Sequence, residues 1–115
     1  MTPDQEAADY GYLTTIGRVT GRPHTIEIWF ARHGGTVYLL AGDGANSDWC
    51  RNVEENAAVE FVVDDEIVGR RARPVTDPAE DALARRVVVG KYQAGYGEDL
   101  TEWRDDATPF AVDLG

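Results

Sequence analysis

Cationic side chains are concentrated around one turn near the start of the chain. The stretch GRVTGRPH, residues 17–24, contains Arg18, Arg22 and His24. Gly21 and Pro23 supply the backbone conformations that a tight turn requires. Because guanidinium groups form charge-assisted hydrogen bonds with phosphates and carboxylates, this turn is a candidate anion-binding site. Ordinary solvated arginines on a hairpin are an equally good interpretation of the composition alone.

A glycine-rich loop is the second candidate for binding an anion. The stretch GDGANSDW, residues 42–49, precedes a predicted short helix. Gly42 and Gly44 would let the backbone approach a ligand, and the first turn of the helix would offer unpaired N–H groups. Asp43 and Asp48 would repel a phosphate unless they point away from it. A glycine-rich loop before a helix is a weak motif by itself.

Aromatic side chains supply the third candidate. Tyr92, Tyr96 and Trp103 lie close together late in the chain, while Trp29 and Trp49 come earlier. Their flat faces and polar groups suit stacking on a ring cofactor or closing over a substrate. Aromatic residues more often fill a core, so this pattern indicates a pocket less strongly than it indicates packing.

The residues needed for nucleophilic or metal chemistry are scarce. Ser47 is the only serine and Cys50 the only cysteine, and neither has a catalytic signature around it. His24 and His33 are the only histidines, so no structural zinc site is expected. A single cysteine excludes an internal disulfide and fits a reducing cytoplasm, which we take as the expected location.

Composition limits the remaining classes of function. The 115 residues carry a net charge of −10, which argues against general affinity for nucleic acid or for an anionic membrane surface. No apolar run approaches the roughly 20 residues of a transmembrane helix. The polar N-terminus MTPDQEAADY does not resemble a signal peptide. We expect one domain, residues 1–115, with residues 1–9 as an acidic lead-in.

The predicted elements are mostly strands joined by hairpins. Alternating or β-rich segments predict strands at Tyr12–Gly17, His24–His33, Thr36–Ala41, 58–64, 66–75 and 108–114. Two helices are predicted, a short one at Trp49–Glu55 and a longer one that begins with DPAE at residues 77–80. The fold class is therefore mainly β (α+β): a small antiparallel barrel of about six strands with two to three outer helices.

Taken in order, these stretches resemble a known family. The segments YLTTIGRVTGRPHTIEIWFARHGGTVYLLAG, SDWCRNV, KYQAGY and ATPFAVDL are similar to the deazaflavin-dependent nitroreductase and quinone reductase family. Members of this family are split β-barrels related to the pyridoxamine phosphate oxidases and flavin reductases. The resemblance runs from about Tyr12 to Leu114, and the TTxGRxTGxP opening is its most specific element. It implies hydride transfer from reduced coenzyme F(420), a 5-deazaflavin with a phosphate and an oligoglutamate tail, to a quinone, enone or nitro acceptor.

The resemblance also implies a set of site residues. The turn residues Arg18, Thr20 and Gly21 would reach the phosphate and tail, with Arg22 and His24 beside them. Next to the deazaflavin ring and its linker would lie Ile26, Glu27, Ile28, Trp29, Gly42, Asp43, Gly44, Trp49 and Asn52. Tyr92 and Tyr96 would close over the electron acceptor, and either could supply a proton.

The sequence departs from the family pattern at the turn and in the loop. Val19 stands where a second basic residue is common, His24 where an arginine is common, and Gly42–Asp43 replace a frequent lysine. Two alternatives therefore stay open: an FMN-binding reductase on the same barrel, and a non-catalytic protein that binds a cofactor, haem or fatty acid. A homodimer is also left open, since related barrels often pair.

Overall fold

The computed structural model describes residues 1–42 and 46–114. Its strands are β1 (Gly11–Ile16), β2 (Pro23–Ile28), β3 (Ala31–His33), β4 (Thr36–Ala41), β5 (Ala58–Val63), β6 (Glu66–Pro74) and β7 (Thr108–Leu114). Its α-helices are α1 (Pro3–Glu6), α2 (Asp48–Glu55), α3 (Pro78–Tyr92) and α4 (Thr101–Asp106), and a short 3-10 helix spans Gln93–Gly95. Asp43 and Gly44, two of the expected site residues, lie outside the described part of the chain.

The seven strands form one antiparallel sheet in the order β2-β1-β5-β6-β7-β4-β3. The two edge strands, β2 and β3, follow one another in the sequence and are separated only by Trp29 and Phe30. The three residue steps from Ile28 to Ala31 span at most about 11 Å. The sheet must therefore curl until its two edges approach each other, which confirms the split barrel expected from the sequence.

The strand expected at His24–His33 is interrupted, which corrects the strand count from about six to seven. At the break, the Phe30 N–H donates to the Tyr92 hydroxyl at 3.1 Å. The Phe30 carbonyl accepts from Lys91 Nζ at 2.9 Å. Because these backbone groups bond to side chains on α3, they are withdrawn from the ladder, and the chain can pass from one sheet edge to the other.

Alternation along the strands separates two apolar clusters. The first lies on the concave side of the sheet and is built around Leu13, Phe30, Phe61 and Phe110, all with zero exposure. The second lies on the convex side, where α3 packs over β3, β4 and β7. Ile26 and Ile28 pack against the first cluster, whereas Trp29 packs against the second, so the neighbouring residues of this segment serve opposite faces.

Helix α3 begins where the sequence predicts it. The Asp77 carboxylate accepts from the Glu80 N–H at 2.9 Å, and Pro78 occupies the first helical position. Glu80 also forms a bidentate pair with Arg73 on β6, at 2.7 and 2.8 Å, which fastens the helix to the sheet. Two further short helices, α1 and α4, raise the count of α-helices to four. None of the helices in the described ranges has the length and apolar character needed to span a membrane.

The acidic lead-in is docked on the barrel. Thr2 and Gln5 form a capping box on α1, and the Gln5 side chain is buried. Four contacts attach this segment: Gln5 Nε2 to Glu66 at 3.0 Å, Glu6 to Arg32 at 3.2 Å, Lys91 Nζ to the Ala8 carbonyl at 2.8 Å, and the Tyr92 hydroxyl to the Asp9 carbonyl at 2.7 Å. Met1 and Ala8 pack against the first cluster, so the segment helps to cover the barrel interior.

Candidate functional site

The basic turn closes the hairpin between β1 and β2. Ile16 pairs with Pro23, and the Gly17 N–H donates to the Arg22 carbonyl at 2.8 Å. Gly21 has φ of +73°, a conformation that glycine adopts without strain. A Cβ atom on Gly17 would lie only 2.9 Å from His24 Nε2. The missing side chain at Gly17 thus allows the His24 ring to lie against the turn.

Helix α2 holds the turn through Arg18 and Asn52. Asn52 is 1% exposed, and its Oδ1 accepts from the Arg18 backbone N–H at 3.1 Å and from Arg18 Nη1 at 3.0 Å. Its amide nitrogen donates to the Thr15 hydroxyl at 3.0 Å. Arg18 Nη2 also pairs with the Asp48 carboxylate at 3.2 Å. The expected site residue Asn52 therefore fixes the turn and the Arg18 side chain, and its own polar atoms are occupied.

The turn borders a cavity of about 200 Å³ that suits an anionic group. Val19, Thr20, His24 and Asp48 are among its lining residues. Within the described ranges, the Val19 and Thr20 N–H groups make no hydrogen bond, and the exposed side chains of Arg22 and His24 contact no carboxylate. Such free backbone N–H groups beside cationic side chains are typical of anion sites. The Asp48 side chain is 87% exposed, so it can turn away from a bound anion.

Four aromatic rings meet where α3, the 3-10 helix and α4 approach β4. Trp29 stacks on Tyr92 with ring centroids 4.1 Å apart and planes 9° from parallel. Tyr96 and Trp103 both stand nearly perpendicular to Trp29, at 5.6 and 5.7 Å. A Cβ atom on Gly42 would lie 3.2 Å from Trp103 Nε1, so glycine at this position gives the indole room. The two late tyrosines and Trp29 are thus brought together, whereas Trp49 is not part of this cluster.

These rings border a second cavity, of about 540 Å³, which we call the aromatic cavity. Trp29, Tyr96 and Trp103 form its apolar walls together with Gly42 and Leu100. Its remaining described lining residues all carry carboxylates: Glu98, Asp99, Glu102 and Asp106. The Asp99 carboxylate accepts from the Thr101 hydroxyl at 2.6 Å and from the Thr101 N–H at 2.9 Å. These hydrogen bonds lower the pKa of Asp99, which keeps it ionised.

Tyr92 and Tyr96 have different environments despite their common cluster. The Tyr92 hydroxyl is engaged by the backbone of Asp9 and Phe30, and burial raises its pKa to about 12. Tyr96 is 42% exposed, lines the aromatic cavity, and its hydroxyl makes no hydrogen bond to the described residues. Of the two, Tyr96 has the hydroxyl that a ligand can reach.

The other expected ring neighbours are divided between the two sides of the sheet. Ile26 and Ile28 pack toward the first cluster, and Trp49 contacts Phe110 edge to face at 4.9 Å. Glu27 is exposed on the opposite side, where its carboxylate accepts from the Tyr12 hydroxyl at 3.4 Å. These residues do not converge on one cavity in the way that the turn residues do.

The carboxylates of the aromatic cavity were not among the site residues expected from the sequence. A signal was present for two of them: Glu102 and Asp106 are four residues apart, the spacing that places side chains on one helical face. Lys91 was also missed. Its Nζ lies 3.7 Å from the centre of the Phe30 ring, and burial lowers its pKa to about 8. No local pattern around a single lysine indicates such contacts.

Comparison with known proteins supports the architecture and the chemistry. A family model described as F(420)H(2)-dependent quinone reductase matches residues 4–113. A 5a,11a-dehydrotetracycline/5a,11a-dehydrooxytetracycline reductase of Streptomyces rimosus subsp. rimosus is 39% identical over 61 residues, which cover 51% of this chain and 42% of the relative. The aligned segment thus spans less than half of that curated relative.

Solved structures share the fold at low sequence identity. A structure described as an F(420)-H(2) dependent reductase is 18% identical, with a TM-score of 0.71, and the match covers 91% of this chain and 94% of that one. A pyridoxamine 5'-phosphate oxidase-like protein from Listeria innocua is 18% identical, with a TM-score of 0.66 over 96% of this chain and 86% of that one. At these identities the likeness shows the split-barrel fold alone.

Proposed function

Since the chain belongs to the F(420)H(2)-dependent quinone reductase family, with coenzyme F(420) as its cofactor, we propose that it reduces a quinone, enone or nitro acceptor with hydride from that coenzyme. The observation that carries the proposal is the pairing of two cavities, one suited to an anion and one walled by aromatic rings. Asp48 lines the first and Gly42 lines the second, and these two residues are close together in the sequence.

The turn has the donor set that the anionic part of the coenzyme requires. Arg22 and His24 would bind the phosphate or the oligoglutamate carboxylates, and the Val19 and Thr20 N–H groups would donate to the same oxygens. Asn52 holds both the backbone and the guanidinium of Arg18, which preserves the shape of the turn when Asp48 moves away. The departures at Val19 and His24 are therefore compensated by backbone donors and by Arg22.

At the aromatic cavity, the side chains of the protein would bind the acceptor, orient it and shield it from water. Trp29, Tyr96 and Trp103 would hold a planar acceptor and exclude water from it. When bound, reduced coenzyme F(420) supplies a hydride, which with one proton completes the two-electron reduction of a quinone to a quinol. We assign Tyr96 as the donor of that proton, because its hydroxyl bonds to none of the described residues, and Tyr92 as the support on which Trp29 stacks.

The experiment that tests the proposal is a fluorescence titration of the protein with coenzyme F(420). We expect the double variant Arg22→Ala/His24→Ala to bind the coenzyme at least about tenfold more weakly in low salt, because two cationic contacts are lost. Arg71→Ala is the matched control, since Arg71 is exposed on β6 and its side chain forms no ion pair within the described ranges. Equal affinity of all three proteins would show that the turn is only a hairpin.

The departures from the family pattern favour FMN as the second candidate. Because Val19 stands where a second basic residue is common in the family, the turn has one cation fewer. This loss would weaken binding of a long polyanionic tail more than binding of a single phosphate. FMN is therefore titrated in parallel. Tighter binding of FMN would assign the protein to the flavin reductases. Binding of neither compound would favour a protein that binds haem or a fatty acid, which absorbance at the Soret band and lipid extraction would then distinguish.

A further inference from the structure

The aromatic cavity combines apolar walls with charge of one sign. Four of its described lining residues are carboxylates, and none is a lysine, an arginine or a histidine. By contrast, the turn cavity is lined by Arg18 and His24, and its one described carboxylate, Asp48, is exposed and can turn away from an anion. The two cavities therefore favour ligands of opposite charge.

The arrangement of the rings adds an independent preference for a cation. Tyr96 and Trp103 stand at 76° and 87° to Trp29, with centroids less than 6 Å from it, and all three rings border the cavity. Ring faces carry negative electrostatic potential, and indole is the strongest of the three natural aromatic groups in attracting a cation. One face of Trp29 is covered by Tyr92, so a cationic group would lie against Tyr96, Trp103 and the remaining surface of Trp29.

The carboxylates are placed to strengthen this preference. Glu102 and Asp106 lie one turn apart on α4, and Trp103 lies between them in sequence. Neither carboxylate forms an ion pair within the described ranges, so their charge is not cancelled by a neighbouring cation. Asp99 is held by Thr101 at the start of the same helix and also interacts with the charge of Arg104, so Glu102 and Asp106 carry most of the attraction for a cation. A ligand cation would thus meet aromatic faces inside the cavity and ionised carboxylates around it.

We propose that the aromatic cavity selects an organic cation: a planar, conjugated acceptor that carries a quaternary ammonium or similar positive group. This inference rests on the proposed function in naming the cavity as the acceptor site. It adds a substrate class, because quinones without charge gain nothing from the four carboxylates and anionic quinones are repelled by them. It also keeps the negatively charged tail of the coenzyme away from the acceptor, since that tail is repelled by the same carboxylates.

The general negative charge of the protein is the competing explanation for any preference for cations. With a net charge of −10, every part of the surface attracts a cation to some degree. A specific site differs because its preference depends on the carboxylates that border it. The experiment therefore compares two variants that remove the same number of charges from different places.

The test uses three naphthoquinones that share one ring system: the neutral 2-methyl compound, a trimethylammonium derivative and a sulfonate derivative. Binding to the protein without coenzyme is followed by quenching of tryptophan fluorescence in low salt and at 0.5 M salt. We expect the cationic quinone to bind roughly tenfold more tightly than the neutral one in low salt, because cation–π and charge attraction act together. The sulfonate should bind most weakly.

Variants then localise the preference. Glu102→Gln/Asp106→Asn should reduce the preference for the cationic over the neutral quinone at least threefold. Glu54→Gln/Glu55→Gln is the matched control, because these carboxylates are exposed on α2 and border neither cavity. An equal loss in both variants, or a preference unchanged in the first, would overturn the inference. So would equal affinity for all three quinones, or no binding of any. Because no coenzyme is present, these results are independent of the coenzyme titration that tests the proposed function.

Discussion

At the scale of single residues, the contrast between Tyr92 and Tyr96 explains how one aromatic cluster can be both structural and functional. The Tyr92 hydroxyl accepts from the Phe30 N–H, where a neighbouring strand would otherwise bond, and donates to the Asp9 carbonyl. Its role is therefore structural. Four residues later, Tyr96 lines the aromatic cavity, and its hydroxyl makes no hydrogen bond to the described residues. The side chains are identical, and the difference in their surroundings is the reason why we propose Tyr96, and not Tyr92, as the proton donor.

Substitution by phenylalanine separates these two roles. We expect Tyr92→Phe to lower the free energy of unfolding by about 1–3 kcal/mol, because the Phe30 N–H and the Asp9 carbonyl lose their partner. Tyr96→Phe should leave stability within about 0.5 kcal/mol and lower the rate of quinone reduction by at least about tenfold. Urea unfolding and stopped-flow reduction by the reduced coenzyme measure the two effects. Equal rates for Tyr96→Phe and the wild type would remove Tyr96 as the proton donor.

At the scale of elements, local sequence patterns predicted those helices and strands whose bounds depend on interactions between nearby residues. Alternation located the strands, and the Asp77 cap located the start of α3, because the atoms involved are only a few residues apart. The break between β2 and β3 was not predictable in this way. It depends on contacts between Phe30 and side chains about 60 residues away, on Lys91 and Tyr92. The acidic side of the aromatic cavity was missed for a similar reason, since α4 meets Trp29 only in the folded barrel.

Two glycines in different elements provide a test of how tightly the sheet is packed. A Cβ atom on Gly69 of β6 would lie 2.5 Å from Val112 Cγ1 and 3.0 Å from the Asp113 carbonyl, whereas a Cβ atom on Gly90 of α3 meets no atom within 4 Å. We expect Gly69→Ala to destabilise the protein by about 1–3 kcal/mol through overpacking. Gly90→Ala should stabilise it by about 0.5–1 kcal/mol, because alanine favours the helix.

Thermal and urea unfolding of the two glycine variants measure these opposite shifts. Both substitutions add one methyl group, so each serves as the control for the other. If Gly69→Ala were as stable as the wild type, the approach of β7 to β6 at this point would be looser than the structure describes.

At the scale of the whole molecule, Lys91 connects three parts that are distant in sequence. From α3 it donates to the carbonyl of Ala8 in the N-terminal segment and to that of Phe30 at the break between the edge strands. The ammonium group is paired with carbonyl dipoles and the Phe30 ring, and within the described ranges it forms no ion pair, although the charges of Asp9 and Glu6 act on it from further away. Burial therefore destabilises the charged form of the amine, which lowers the pKa of Lys91 to about 8. Lys91 thus both helps to close the barrel and makes the stability of the protein depend on pH.

This link predicts how stability changes with pH. The unfolded chain keeps the lysine protonated up to its usual pKa of about 10.4, whereas the folded protein begins to release that proton near pH 8. Between these values the unfolded state binds more protons, so Lys91 makes the free energy of unfolding rise with pH, by about 1–2 kcal/mol in total. The raised pKa values of Cys50, about 11, and Tyr92, about 12, act in the opposite direction above pH 9.

A variant isolates the contribution of Lys91 from these opposing groups. The difference in unfolding free energy between the wild type and Lys91→Met should grow in favour of the wild type from pH 8 to pH 10, because Cys50 and Tyr92 are common to both proteins. Arg86→Met is the matched control, since Arg86 is an exposed cation on the same helix. Urea unfolding at each pH gives the curves. Parallel curves for the wild type and Lys91→Met would mean that Lys91 titrates normally, and that its contacts with Ala8 and Phe30 do not bury its charge.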